Sequence, residues 1–382
     1  MEIHYDEKHR IFKLDTENTS YVIAVVDEEG FLGHAYYGAK ISDTDVTYLL
    51  RINEPPFVPS VNNRDRSMIL DTLPMEYPGN RVGDYREGAV SVLDANGHSA
   101  VMPLYDSYHI MNGKPKIPGL PASFGTEENC KTLEITAKDE VLNLEVKLYY
   151  TVFEGSDVIT RSVSVTNHAK DAIRLTKVMS AVFDMDAEDL EMLTLHGGWV
   201  KERQIERRPL GHGKQSVGSI KGHTSHQEHP FLALVSKNAT QEQGNVYGMH
   251  FVYSGNFLAQ VEKNQFDTVR MMMGIHPQDF CWELKENETF YAPETVLIYS
   301  GTGLGTMTRN LHDFYRNHLI RSPYKNKKRP ILINNWEATY FNFDTDKLIA
   351  IAKEAKKSGI EMLLGCYIPA DFFVTQKSHF VT

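Results

Sequence analysis

Cysteine is scarce in this 382-residue chain: Cys130, Cys281 and Cys366 are its full complement, far apart and without a C-x-x-C pair. That spacing excludes a disulfide framework and a zinc knuckle. Use this sparse fits a reducing compartment, so a cytoplasmic location is expected. No apolar stretch approaches the length of a membrane span, so no membrane partner is expected. The opening Met1-Glu2-Ile3-His4-Tyr5-Asp6-Glu7 is polar and acidic, unlike a signal peptide. Basic charge is in deficit, the formal net charge being -10. Such a surface repels phosphate backbones and argues against nucleic acid as a partner. No Ser-His-Asp order, Walker loop or dinucleotide glycine fingerprint occurs. Gly301-Thr302-Gly303-Leu304-Gly305 lacks the Lys-Ser/Thr of a P-loop and reads as a flexible lead-in to a helix.

What is present up to about Gly301 is β pattern. Tyr21 to Val26 is an apolar, β-branched run, Asp27-Glu28-Glu29-Gly30 supplies turn chemistry, and a returning strand starts at Phe31. Leu142, Leu144, Val146 and Leu148 alternate with Asn143, Glu145 and Lys147, which predicts a half-buried strand. Past the turn Glu154-Gly155-Ser156-Asp157, Ile159, Val163 and Val165 form one face, and Thr160, Ser162, Ser164 and Thr166 a second, polar one. Many strands with short turns predict a large sandwich. The pattern then changes. Met307, Leu311, Phe314 and His318 predict a helix over Thr306–Leu319. A basic connector, Ser322 to Pro330, leads to the short strand Ile331-Leu332-Ile333-Asn334. Asp344-Thr345 can cap a helix carrying Leu348, Ile351, Ala352 and Ala355 on one face, with Gly359 at its C′ position. Ile360 to Leu364 begins another strand. Strand, helix, strand opens a parallel barrel or doubly wound sheet, and one such unit cannot close a barrel.

Four segments occur in order: Glu76-Tyr77-Pro78 with Gly83-Asp84-Tyr85-Arg86; Leu195-His196-Gly197-Gly198-Trp199-Val200-Lys201-Glu202-Arg203; Phe314-Tyr315-Arg316-Asn317-His318-Leu319; and Asn335-Trp336-Glu337-Ala338-Thr339-Tyr340-Phe341. Together they resemble bacterial α-galactosidases of glycoside hydrolase family 36, from about residue 1 to Leu364. The resemblance implies a mainly β chain. A β-supersandwich (residues 1–305) and a linking helix and connector (306–329) precede the first βαβ unit of an incomplete (β/α)8 catalytic barrel (330–364). It also implies retaining hydrolysis of terminal α-1,6-galactosides (melibiose, raffinose, stachyose), no metal or organic cofactor, and a homo-oligomer, often a tetramer. In retaining glycosidases two carboxyl groups sit roughly 5–5.5 Å apart, one as nucleophile and one as acid. In this family both are Asp residues on late barrel strands, and neither position exists here, so the chain alone is expected to be inactive. The family's Asp-Asp-Gly-Trp after the second barrel strand is replaced by Gly365-Cys366-Tyr367-Ile368. Residues 365–382 do not resemble the family, and a shifted reading frame or gene break is the expected origin. A non-catalytic carbohydrate-binding sandwich and a non-functional remnant are the alternative readings.

Three residues are candidates for sugar contact. Trp336 ends the first barrel strand, where barrel sites are built, and suits the apolar face of a galactose ring; its other reading is core packing. Trp199 lies in a Gly-Gly-Trp loop that, by the resemblance, reaches the barrel mouth; its other reading is sandwich core or interface. Asn53 lies where the family has an acidic or amide residue near the galactose pocket. Glu337 has no partner carboxylate and reads as structural. His223, His226 and His229 are evenly spaced, without zincin spacing, and read as a structural loop. Arg203, Arg207 and Arg208 read as a solvated face or interface ion pairs.

Overall fold

A computed structural model describes residues 1–50, 69–80, 83–186 and 189–365. The chain divides into two units, Met1–Leu319 and Ile320–Thr382. The first is antiparallel β throughout. A four-stranded meander runs from Glu2–Asp6 through Ile11–Asp15 and Thr19–Val26 to Phe31–Ala39. Its last turn uses Asp27 and Gly30 at φ of 61° and 83°, the left-handed geometry anticipated at Asp27–Gly30. A ten-stranded sheet runs from the edge strand Gln204–Pro209 through Leu190–His196, Glu228–Ser236 and Val246–Val252 to the opposite edge at Leu104–Asn112. A six-stranded sheet is centred on Ile173–Asp186 and Thr268–Ile275. One continuous apolar core joins all three sheets, with Phe12, Tyr21, Leu148, Val163, Phe183 and Met271 within it. This is the expected β-supersandwich.

Leu144–Phe153 alternates buried and half-buried residues over its first half, as its sequence requires. Its neighbour Val158–Asn167 departs from the expected polar face: Thr160, Ser162 and Ser164 are buried along with Ile159, Val163 and Val165. The reason is tertiary. On the even-numbered face a second core cluster forms, in which Val158 and Phe153 pack with Met307, Leu311 and Phe314 of helix α1 (Leu304–Phe314). The helix predicted at Thr306–Leu319 thus starts two residues earlier, and its last five residues, Tyr315–Leu319, widen into a π-turn. It packs on the sandwich it follows. At its start the amides of Leu304 and Gly305 donate to the carbonyls of Thr240 and Gln241 at 2.9 and 2.8 Å. Those two amides are thereby spent on the sandwich rather than offered to a phosphate.

The second unit is a parallel β-α-β. Leu332–Asn334 pairs with Met362–Leu364 in parallel register, joined by α2 (Trp336–Thr339) and α3 (Thr345–Lys357). Asp344 caps α3, its carboxylate accepting from the Lys347 amide at 2.8 Å, and Gly359 takes the left-handed C′ conformation at φ 79°. The sheet is only two strands wide, and its apolar residues face outward. Ile331, Leu332, Ile349, Met362 and Leu364 are between 38% and 60% exposed. Parallel strands normally lie buried on both faces. This unit buries Ala355 and Asn335 and little else among its described residues.

Candidate functional site

Trp336 follows the C-terminal end of the first parallel strand, the position its sequence context predicts. Its amide donates to Asn334 Oδ1 at 2.8 Å. The fully buried Asn335 anchors the turn: its amide donates to the Leu364 carbonyl on the paired strand at 3.2 Å. Its Nδ2 donates to Thr339 Oγ1 at 3.0 Å. The indole is half-buried and makes edge contacts with Tyr340 and Phe341, at ring separations of 5.6 and 4.7 Å. Tyr340 and Phe341 are themselves exposed. The three rings form an aromatic cluster at a strand end rather than part of a closed core. Glu337 is exposed and accepts from Tyr340 Oη at 3.3 Å, a local structural contact.

Trp199 sits at the tip of the hairpin between Leu190–His196 and Gln204–Pro209 and is 80% exposed, so it is no part of the sandwich core. The loop is built to hold it out. A Cβ on Gly197 would collide with the Lys201 carbonyl, so glycine is required there. Gly198 and Lys201 exchange backbone hydrogen bonds at 3.3 and 3.0 Å. Val200, a β-branched residue, adopts φ 64°, a strained left-handed conformation. At the loop's base His196 bridges two strands, with Nδ1 2.9 Å from Glu228 and Nε2 3.0 Å from Glu206. Asn53 lies outside the described residues.

His223, His226 and His229 line one cavity of about 660 Å³ with Glu202 and Arg203. Among the described residues no three His, Cys, Asp or Glu side chains assemble into a group able to hold a metal. Burial, and then Arg203, lowers the His229 pKa. Arg207 is an ion-pair residue, donating to Glu191 at 2.8 Å and to the Ala239 carbonyl at 2.8 Å. Sequence reasoning missed a neighbouring cavity of about 460 Å³ beneath α1, where His250 stacks near His229 and Tyr315 at 5.8 and 5.2 Å. Burial, reinforced by His229, pushes the His250 pKa down to about 3. No sequence signal marks His250, because its partners come from other strands and from the π-turn.

The motifs around residue 80 turn out to organise the core. Glu76 is fully buried and accepts from Tyr21 Oη at 2.8 Å, Tyr150 Oη at 2.7 Å, His34 Nδ1 at 2.8 Å and Arg161 Nη1 at 2.9 Å. Burial and the adjacent carboxylate raise the Tyr21 phenol well above its ordinary value. A second buried hub joins Asp84, Arg86, Asp184 and Arg270. Arg270 donates to Asp184 from Nε at 2.7 Å and to Asp84 from Nη2 at 2.6 Å. Arg86 reaches both acids and the carbonyls of Leu70 and Leu73.

All of these residues but Tyr21 lie within a stretch that matches the Glycosyl hydrolase family 36 N-terminal domain over residues 30–285, and Melibiase matches residues 289–366. The chain belongs to glycoside hydrolase family 36. It is 42% identical over 365 residues to Alpha-galactosidase AgaA of Geobacillus stearothermophilus, covering 95% of this chain and 50% of that protein. It is 41% identical over 366 residues to the bifunctional alpha-galactosidase/sucrose kinase AgaSK of Mediterraneibacter gnavus, covering 95% of this chain and 39% of that protein. Among solved structures, the family 36 alpha-galactosidase AgaB of Geobacillus stearothermophilus superposes with a TM-score of 0.91 at 42% identity, covering 96% of this chain and 50% of that one. A variant of AgaA in complex with raffinose superposes with a TM-score of 0.89 at 42% identity, covering 92% and 49%. The chain therefore spans about half the length of the relatives it matches.

Proposed function

We propose that this family 36 chain supplies the N-terminal sandwich and the first barrel unit of an α-galactosidase that removes terminal α-1,6-linked galactose from melibiose, raffinose and stachyose with retention. The observation that carries the proposal is the parallel β-α-β unit at Leu332–Leu364, which follows the supersandwich and presents Trp336 at a strand end. In parallel barrels the site forms at that end of the strands. Trp336 there offers its face to the apolar side of galactose, and Trp199, held out by its strained loop, is a second candidate for sugar contact on the sandwich itself. The nucleophile and the acid are the two Asp carboxylates of later barrel strands, so residues 1–382 alone do not turn over substrate. The holoprotein is cytoplasmic, needs no cofactor and assembles as a homo-oligomer.

Two measurements test this. The 382-residue chain is assayed with p-nitrophenyl α-galactoside beside a buffer blank and a full-length relative, and no turnover is expected. Turnover that survives repurification and is abolished by Trp336→Ala would overturn the assignment of the carboxylates. A chimera joining residues 1–364 to the remaining half of Geobacillus AgaA is expected to hydrolyse the same substrate, with kcat/KM reduced at least about tenfold by Trp336→Ala, the loss of one aromatic contact of ~1.4 kcal/mol. A folded but inactive chimera would refute the proposed function.

A further inference from the structure

A cavity of about 510 Å³ opens on the sandwich between the segment around Asp71, the Asp84–Arg86 turn and the end of strand Phe257–Lys263. We propose that it is a saccharide-binding subsite of the N-terminal domain, separate from the Trp336 site. The choice of an α-galactoside probe rests on the function proposed above.

The side chains available are those that recognise neutral polyols. Tyr85 lines the cavity and is 79% exposed, a ring held in water although its neighbours on both sides, Asp84 and Arg86, are buried. Its position is fixed, since its amide donates to Asp71 Oδ1 at 3.2 Å. Gln265 Nε2 donates to the second oxygen of the same carboxylate at 3.3 Å. Asp71 thus ties two walls of the cavity together before any ligand arrives, which lowers the ordering cost of binding. Asn264 is 8% exposed, and its Oδ1 accepts from the amides of Phe266 and Thr268 at 2.9 and 3.1 Å. Those two donors settle the amide orientation. The NH2 group is therefore the free end, and Nδ2 is buried without an acceptor among the described residues. A buried donor left unmade is costly, and a ligand hydroxyl is the group that would satisfy it. His212 donates from Nδ1 to the Asn264 carbonyl at 3.0 Å, which leaves Nε2 as the ring nitrogen available to a ligand. Glu262 accepts from the Glu87 amide at 2.7 Å through one oxygen.

Charge selects against an anionic ligand. The cations lining the cavity are already engaged: Arg86 by Asp84 and Asp184, and Lys263 by Asp267 at 2.8 Å. The carboxylates of Asp71 and Glu262 remain facing the space. An exposed ring, carboxylate acceptors, an amide donor and an imidazole nitrogen match the alternating hydroxyls and C–H face of a sugar. The volume falls within the range of small-molecule sites.

Saturation-transfer NMR with raffinose on the intact 382-residue chain tests the proposal. Transfer to the sugar is expected, with the dissociation constant raised about tenfold by Tyr85→Ala. Asn264→Asp keeps the two acceptor contacts and removes the donor, and is expected to weaken binding to a similar degree. Thermal unfolding of each variant checks folding, and Tyr85, being exposed, can be removed without touching the core. Trp282→Ala, at an exposed ring outside both sites, is expected to leave the transfer intact. No transfer, transfer indifferent to Tyr85→Ala, or transfer lost in Trp282→Ala would each overturn the proposal. An active chimera with no transfer to this cavity would sink the subsite alone. Transfer with an inactive chimera would sink the proposed function alone.

Discussion

Replacing Asp184 by Ala removes the centre of the second buried hub. Asp184 is 1% exposed and accepts from Arg270 at 2.7 and 2.8 Å, from Arg86 at 2.9 Å and from the Met75 amide at 2.8 Å. After the change, two buried guanidinium groups share Asp84 alone. Breaking a buried pair from one side costs about 3–5 kcal/mol, because a charge is left uncompensated. With an unfolding entropy of about 2.1 cal/mol/K per residue, the 319-residue first unit shifts its Tm by about 1.5 °C per kcal/mol. The expected loss is therefore about 4–8 °C by circular dichroism at neutral pH. The effect depends on pH with a definite sign. Burial alone would raise the Asp184 pKa, but Arg270 and Arg86 together hold it below the usual carboxylate range. Its contribution is fully present above the unfolded value, about 3.9, and is lost as pH falls through the lower folded value. The gap between wild type and Asp184→Ala should narrow only below about pH 4. Adding Arg270→Met should cost little beyond Asp184→Ala alone, since it removes the orphaned charge. A Tm loss under about 1 °C, or fully additive losses in the double variant, would refute the reasoning.

His250 carries the opposite ionisation. Its folded pKa of about 3 lies below the unfolded value near 6.5, so unfolding takes up a proton between those limits. Its stability contribution is complete above pH 6.5 and declines as pH falls toward about 3, and His250→Phe should flatten the Tm–pH curve in that window. The exposed apolar residues of the second unit predict that the full chain binds a hydrophobic dye such as ANS. A chain ended at Leu319 should bind far less and keep its cooperative unfolding, and equal dye binding by the two would contradict this. Asp344→Ala should cost α3 about 1 kcal/mol through loss of its cap, read as faster amide exchange over Lys347–Ile351; unchanged exchange would show the cap to be idle.

Much of the fold was legible from local pattern. Alternation marked Leu144–Phe153, turn residues marked the Asp27–Gly30 and Glu154–Asp157 reversals, and an N-cap with a C′ glycine bracketed α3. These features depend on backbone geometry within a few residues. The burial of Thr160, Ser162 and Ser164 was not legible, because the second core cluster on that face is completed by a helix about 150 positions later. Sequence separation also hid the Tyr85 cavity: Asp71 and Gln265 meet across 194 residues.

By itself the sequence determined the family, the sandwich followed by a parallel β-α-β unit, and the placement of Trp336 at a strand end, since each rests on periodicity, capping or an ordered set of motifs. Only the tertiary structure decided what the motifs do. Glu76, Asp84 and Arg86, which help identify the family, are core hubs, because charges can be buried only where partners from distant strands converge on them. Trp199 stands outside the core because Gly197 and the left-handed Val200 turn its loop outward. The apolar faces of Leu332–Leu364 remain uncovered, because one parallel pair is too narrow a sheet to bury itself.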